Sequence, residues 1–159
     1  MGAAFDESFK KRYRRNKETL EWYDALAMAV AVIAIVFTFF VRIVKVDGHS
    51  MDPTLFNGER ILINLMKQPD YGDIVVVDGY TSYGKPLVKR VIGKGGDTID
   101  IDFAAGIVYR NGVALDEPYT AEPTYLYESV DFPITVPDSC LFVMGDNRNN
   151  STDLSLIHI

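Results

Sequence analysis

Between Ala25 and Val41 the sequence runs for 17 residues without a charge, mostly in Ala, Val, Ile and Phe. A segment like this leaves few options. It is apolar on every side, so a helix built from it has no polar face to give to water and must be enclosed by lipid or by protein. Extended through Arg42 to Val44 it reaches 20 residues. That suffices to cross a hydrocarbon core of about 30 Å if the Arg42 head snorkels outward. Trp22 and Tyr23 stand where an interfacial aromatic belt would lie. A cleaved secretion signal would be shorter and would end at a small-x-small site before a polar start, a pattern not evident here. The reading is a transmembrane anchor over residues 22–45 behind a basic tail over residues 1–21.

Charge gives the anchor a direction. Before position 21 there are six basic residues (Lys10, Lys11, Arg12, Arg14, Arg15 and Lys17) against three acidic ones (Asp6, Glu7 and Glu18). From Val46 onward the balance reverses, with 17 acidic residues against 8 basic ones. Basic flanks stay on the cytoplasmic side of a span. The expectation is a single-pass protein of the plasma membrane, with its N-terminus in the cytoplasm and everything after Val46 outside. The acidic balance of that outer part excludes a phosphate-binding surface, so no nucleic-acid partner is expected. Cys140 stands alone, and the only histidines are His49 and His158. An intrachain disulfide is thereby excluded, and no metal site or cofactor is expected.

The outer part is patterned as strands. Arg60–Asn64, Ile74–Val77 and Leu87–Ile92 are short apolar runs, and Thr98–Asp102 alternates apolar with polar. The continuous β-branched run Ile74–Val77 predicts burial on both faces. Ile107–Arg110 and Val113–Leu115 flank Asn111-Gly112, a strong two-residue hairpin signal. Residues 117–133, rich in proline, tyrosine and acid, read as a loop, and Leu141–Met144 as a further buried strand. No long helix is expected after the anchor.

The chemistry starts at Gly48-His49-Ser50-Met51-Asp52-Pro53-Thr54-Leu55. Gly48 admits backbone shapes barred to other residues, and Pro53 fixes a turn just beyond. Such a turn can project the Ser50 hydroxyl outward, with the Ser50 N–H available to a developing oxyanion. Met51 and Leu55 would pin it to a surface, or would meet substrate or lipid. A serine hydroxyl is a weak nucleophile until a base takes its proton. His49 is adjacent to Ser50 and would point away on an extended turn. A lysine serves if it is neutral, and burial favours the neutral form. Lys89 lies in an apolar strand, with Arg90 on the opposite face. On pattern alone, a solvated lysine at a strand edge is the plainer reading of Lys89.

Four segments decide between those readings. Ser50-Met51-Asp52-Pro53-Thr54, Gly72-Asp73-Ile74-Val75-Val76, Lys89–Gly93 with Gly96-Asp97, and Met144–Asp153 resemble, in order, the boxes of the type I signal peptidases. The resemblance implies a mainly β, extracytoplasmic domain of coiled sheets, barrel- or sandwich-like, over residues 46–153. It implies that Ser50 is the nucleophile and Lys89 the general base. Ser151 would orient the lysine amine, while the Ser50 N–H would hold the oxyanion and Gly48 would shape or complete that hole. Asp146 would pair with Arg90, and Asp153 would be a second structural carboxylate. The substrates would be secretory precursor proteins at the membrane surface.

The chain departs from that pattern after Asp153. An arginine expected to pair with Asp153 is absent, and Leu154–Ile159 is expected to be a non-native tail over residues 154–159. Its six residues correspond to CTG TCT CTT ATA CAC ATC, which resembles a transposase adapter. Gly95 stands where the family commonly has proline. One rival stays open, a catalytically silent, membrane-tethered β-domain that binds exported proteins. A repressor-type autoprotease with the same dyad would need a DNA-binding helical module in place of the anchor, and the sequence reads as having none.

Overall fold

The computed structural model describes residues 2–77, 86–127, 131–150 and 155–158, with residues 2–15 and 155–158 described by backbone alone. The chain forms two compact units. The first comprises residues up to Arg42 together with Asn64–Met66, and the second comprises Ile43–Ile63 and the chain from Lys67 onward.

The first unit is built on one helix, α1 (Gly2–Phe39). Residues 16–39 of it are long and apolar enough to cross a membrane, and no part of its apolar window is buried by protein. Trp22, Ile33, Phe37 and Phe39 are among the large side chains left exposed. The helix closes with the Phe40 N–H donating to Val36 O at 2.9 Å. It therefore ends sooner than the sequence reading of the anchor. Val41–Lys45 is instead a strand, β1, paired with β2 (Arg60–Asn64). The physical reason is local. Val41, Ile43 and Val44 are β-branched, and Arg42 and Lys45 interrupt the apolar run, which suits an extended, half-solvated strand better than a helix.

The second unit holds two four-stranded sheets. One has the order β10-β9-β4-β3, built from Ser155–His158, Cys140–Met144, Leu87–Lys94 and Ile74–Val77. The other has the order β7-β6-β5-β8, from Val113–Ala114, Ile107–Arg110, Thr98–Asp102 and Ile134–Thr135. Each neighbouring pair is antiparallel. The domain is mainly β and its sheets are open. Between them lies the core of Ile92, Phe142 and Met144 from one sheet and Ile99, Ile101 and Val108 from the other, with Val136 and Cys140. Fully burying each larger side chain contributes about 1.5–3 kcal/mol.

Gly93 shows how tight that core is. The ladder between β4 and β9 shifts register between Val91 and Gly93. A Cβ at Gly93 would come within 2.8 Å of Ile99 Cδ1. The far face of the β9 sheet carries a smaller cluster of Val91, Leu141 and Val143, with Val75 against it. Two strands differ from their patterns. β3 is the outer strand of its sheet and only Val77 in it is buried, so its β-branched run covers one face rather than filling a core. Residues 155–158, expected to be a tail, form β10 against β9.

Candidate active site

Residues 46–59 form a loop whose ends are stapled together. The Val46 N–H donates to Glu59 O at 2.8 Å, and the Gly58 N–H donates to Val46 O at 2.9 Å. Within it the chain turns sharply: the Thr54 and Leu55 N–H groups both donate to Met51 O, at 2.9 and 3.0 Å. Gly48 enters the turn at φ 104°, a region L side chains rarely adopt. Its N–H donates to Asn57 Oδ1 at 3.1 Å. The Gly48 N–H is thus engaged by Asn57, while its backbone shapes the turn. Met51, for which the sequence left packing beneath the turn and contact with substrate or lipid both open, is 1% exposed. Leu55 is half-buried, and Ser50 on the turn is likewise half-buried. His49 Nδ1 lies 3.0 Å from Asp52 Oδ2.

Lys89 is 1% exposed. In register it stands opposite Val75 of β3. It shares its sheet face with Val91, two residues along, and hence with the Val91, Leu141 and Val143 cluster. Water reaches very little of this side chain. Val91 is itself a core residue at 1% exposed, so a charge placed there to probe Lys89 would disrupt packing.

Arg90, on the opposite face, is the hub. Its Nε donates to Asp146 Oδ1 at 2.7 Å and its Nη2 to Asp146 Oδ2 at 2.5 Å, a fork-on-carboxylate pair. Nη1 donates to Gly72 O at 2.7 Å, and Nη2 also reaches Thr54 Oγ1 at 3.4 Å. The Asp146 hydrogen bonds hold the Arg90 pKa above its ordinary value, against the opposing effect of burial. Asp146 lies two residues past the end of β9, whose Met144 is in register with Arg90. One residue further, the Asn147 N–H donates to Ser50 O and its Nδ2 donates to His49 O, both at 3.0 Å.

The Ser50 turn, the strand of Lys89 and the segment 144–150 are thus joined by named hydrogen bonds. Ser151 and Asp153 lie outside the described residues. Sequence reasoning did not assign Asn147 and Thr54, although both stand in the quoted segments. It missed Asn57, Glu117, Tyr119 and Thr124 altogether, and their stretches carried only turn or loop signals.

The described site therefore joins a serine-bearing turn to a strand with an enclosed lysine, in an open two-sheet domain. The family model for signal peptidase, peptidase S26, matches residues 19–155, and the chain belongs to that family of serine endopeptidases. It is 39% identical over 151 residues to signal peptidase I S of Bacillus subtilis (strain 168), covering 87% of this chain and 79% of that one. It is 35% identical over 158 residues to a signal peptidase I of Bacillus amyloliquefaciens, covering 92% and 83%. A crystal structure of a signal peptidase I from Enterococcus faecalis V583 aligns over 55% of this chain and 85% of that one, with TM-score 0.44 and 31% identity.

Proposed function

We propose that this chain is a membrane-anchored signal peptidase I, which cleaves N-terminal signal peptides from secretory precursor proteins with Ser50 as nucleophile and Lys89 as general base. The observation that carries the dyad is the burial of Lys89 at 1% exposed on an apolar sheet face. Burial disfavours the ammonium and makes a neutral amine accessible near physiological pH. Neutral Lys89 takes the Ser50 Oγ proton as Oγ attacks the scissile carbonyl carbon. The oxyanion so formed accepts from the Ser50 N–H. Lys89 then returns the proton to the leaving amine, and the C–N bond breaks to leave an ester on Ser50. A water, deprotonated by the same lysine, hydrolyses that ester. Ser151 orients the lysine amine, and Asp153 supports its segment. The family relationship supports the substrate class. The apolar helix behind basic residues supports a single pass through the plasma membrane, with the N-terminus cytoplasmic and the β-domain outside. Its contacts are lipid and precursor.

The test uses the protein in detergent micelles with a precursor substrate. Ser50→Ala should abolish turnover, and Lys89→Arg should lower kcat by at least about 10²-fold, because arginine stays protonated. The acidic limb of the wild-type rate should fall well below the ~10.4 of a free lysine. Near-normal turnover by Lys89→Arg would remove lysine as the base. Turnover unchanged in Ser50→Ala would remove the serine.

A further inference from the structure

Arg148 lies three residues beyond Gly145 and is 5% exposed. Its Nε donates to Gly145 O at 2.9 Å. Its Nη1 donates to Glu117 Oε2 at 2.9 Å and its Nη2 to Glu117 Oε1 at 2.5 Å, so the carboxylate is gripped by both prongs. Nη1 also donates to Thr124 Oγ1 at 3.0 Å. Glu117 Oε1 accepts a second hydrogen bond, from the Tyr119 hydroxyl at 2.9 Å. The Tyr119 ring in turn lies under the Arg90 guanidinium, 4.0 Å from its centroid. Burial, and after it the Glu117 carboxylate, raises the Tyr119 phenol well above its ordinary range, so the hydroxyl remains a donor.

These contacts form a ring from Asp146 through Arg90, Tyr119 and Glu117 to Arg148. Both ends of the ring lie on the same short segment, and the residue between those ends is Asn147, which holds the Ser50 and His49 carbonyls. Burying an arginine is unfavourable unless it is matched and fully hydrogen-bonded, and here the match for Arg148 comes from Glu117.

We infer that Glu117 is a positioning residue for the peptidase reaction: through Arg148 and Tyr119 it fixes Asn147, and through Asn147 the placement of Ser50 relative to the Lys89 strand. The inference rests on the reading of Ser50 and Lys89 above. Among the described residues, the Glu117 carboxylate bonds to Arg148 and Tyr119 rather than to Ser50 or Lys89. Losing a carboxylate that served stability alone would lower the melting temperature and leave the folded enzyme's turnover unchanged.

The test compares the full-length wild type with Glu117→Gln in detergent micelles, well below either melting temperature. It reads amide hydrogen exchange at Asn147 and at Ile101 of β5, together with kcat and KM on a precursor. The expected result for Glu117→Gln is exchange at Asn147 about tenfold faster with Ile101 unmoved. Turnover should show kcat lower by about 10- to 100-fold and KM within about twofold, because misplacement of a reacting group acts on the chemical step. Unchanged protection at Asn147, or unchanged kcat in the folded variant, overturns the inference. Where Glu117→Gln does not fold, the pair Glu117→Gln/Arg148→Gln, which buries no lone charge, is read by the same criteria. The exchange measurement needs no turnover. A wild type that fails to cleave therefore refutes the peptidase reading on which the inference rests, and protection at Asn147 still decides whether Glu117 fixes that segment.

Discussion

Asp97 contributes to how the domain should tolerate acid. It is 8% exposed and sits where β4 turns into β5. Its Oδ2 accepts from the Tyr71 hydroxyl at 2.9 Å and from the Lys94 N–H at 2.8 Å, and its Oδ1 accepts from Asn111 Nδ2 at 2.7 Å. Burial alone would raise its pKa, but those hydrogen bonds, led by the one from the Lys94 backbone, outweigh it and leave the pKa lowered. A carboxyl whose folded pKa lies below its unfolded value adds stability that is fully present above the unfolded value, ~3.9, and is lost as pH falls through the folded one. Asp97→Asn removes that charge and sets an amide among donors, at a cost of about 1–3 kcal/mol near neutral pH. The denaturation free energies of wild type and variant should converge as pH is lowered below about 4. Curves that stay parallel down to the acid transition would show that Asp97 is not the titrating group.

At the scale of elements, β9 is an interior strand, buried along its length, with β4 on one side and β10 on the other. The ladder pairs Ser155 with Val143 and Ile157 with Leu141. Without β10, β9 would present an uncovered edge, which is an invitation to non-native pairing. Successive residues of a strand point their N–H groups to opposite sides, so Leu156→Pro with Ile157→Pro must remove one donor facing β9. Amide exchange at Leu141 and Val143 should then accelerate while Ile99 and Ile101 hold. Equal acceleration everywhere would mean that β10 supports the domain as a whole. Most of these strands were legible because alternation or β-branching marked them, as in Thr98–Asp102. β1 was not, because Val41, Ile43 and Val44 continue the apolar run of the helix, and short apolar stretches do not separate strand from helix. The site was legible only where its residues stand in recognisable segments, such as Ser50, Lys89, Arg90 and Asp146. The tie between Glu117 and Arg148 joins positions far apart with no periodic relation, so nothing local could announce it. Nor could Asn57-Gly58, a plain turn signal, reveal that Asn57 holds the Gly48 N–H.

For the whole molecule, the orientation proposed above has a direct readout. Val113 is 68% exposed, whereas the native Cys140 is buried. Val113→Cys should react with a membrane-impermeant maleimide on intact cells, and reaction only after lysis would reverse the orientation. The strand order β10-β9-β4-β3 also has a side that unfolds in time. Synthesis proceeds from the N-terminus, so the Ser50 turn and the Lys89 strand leave the ribosome well before Asp146 and Asn147 exist to fasten them. Long-range antiparallel pairings of this kind close late and slowly. On the proposed reading of Ser50 and Lys89, a nascent chain thus carries its serine and its lysine as two separate pieces until β9 and the segment after it arrive to join them.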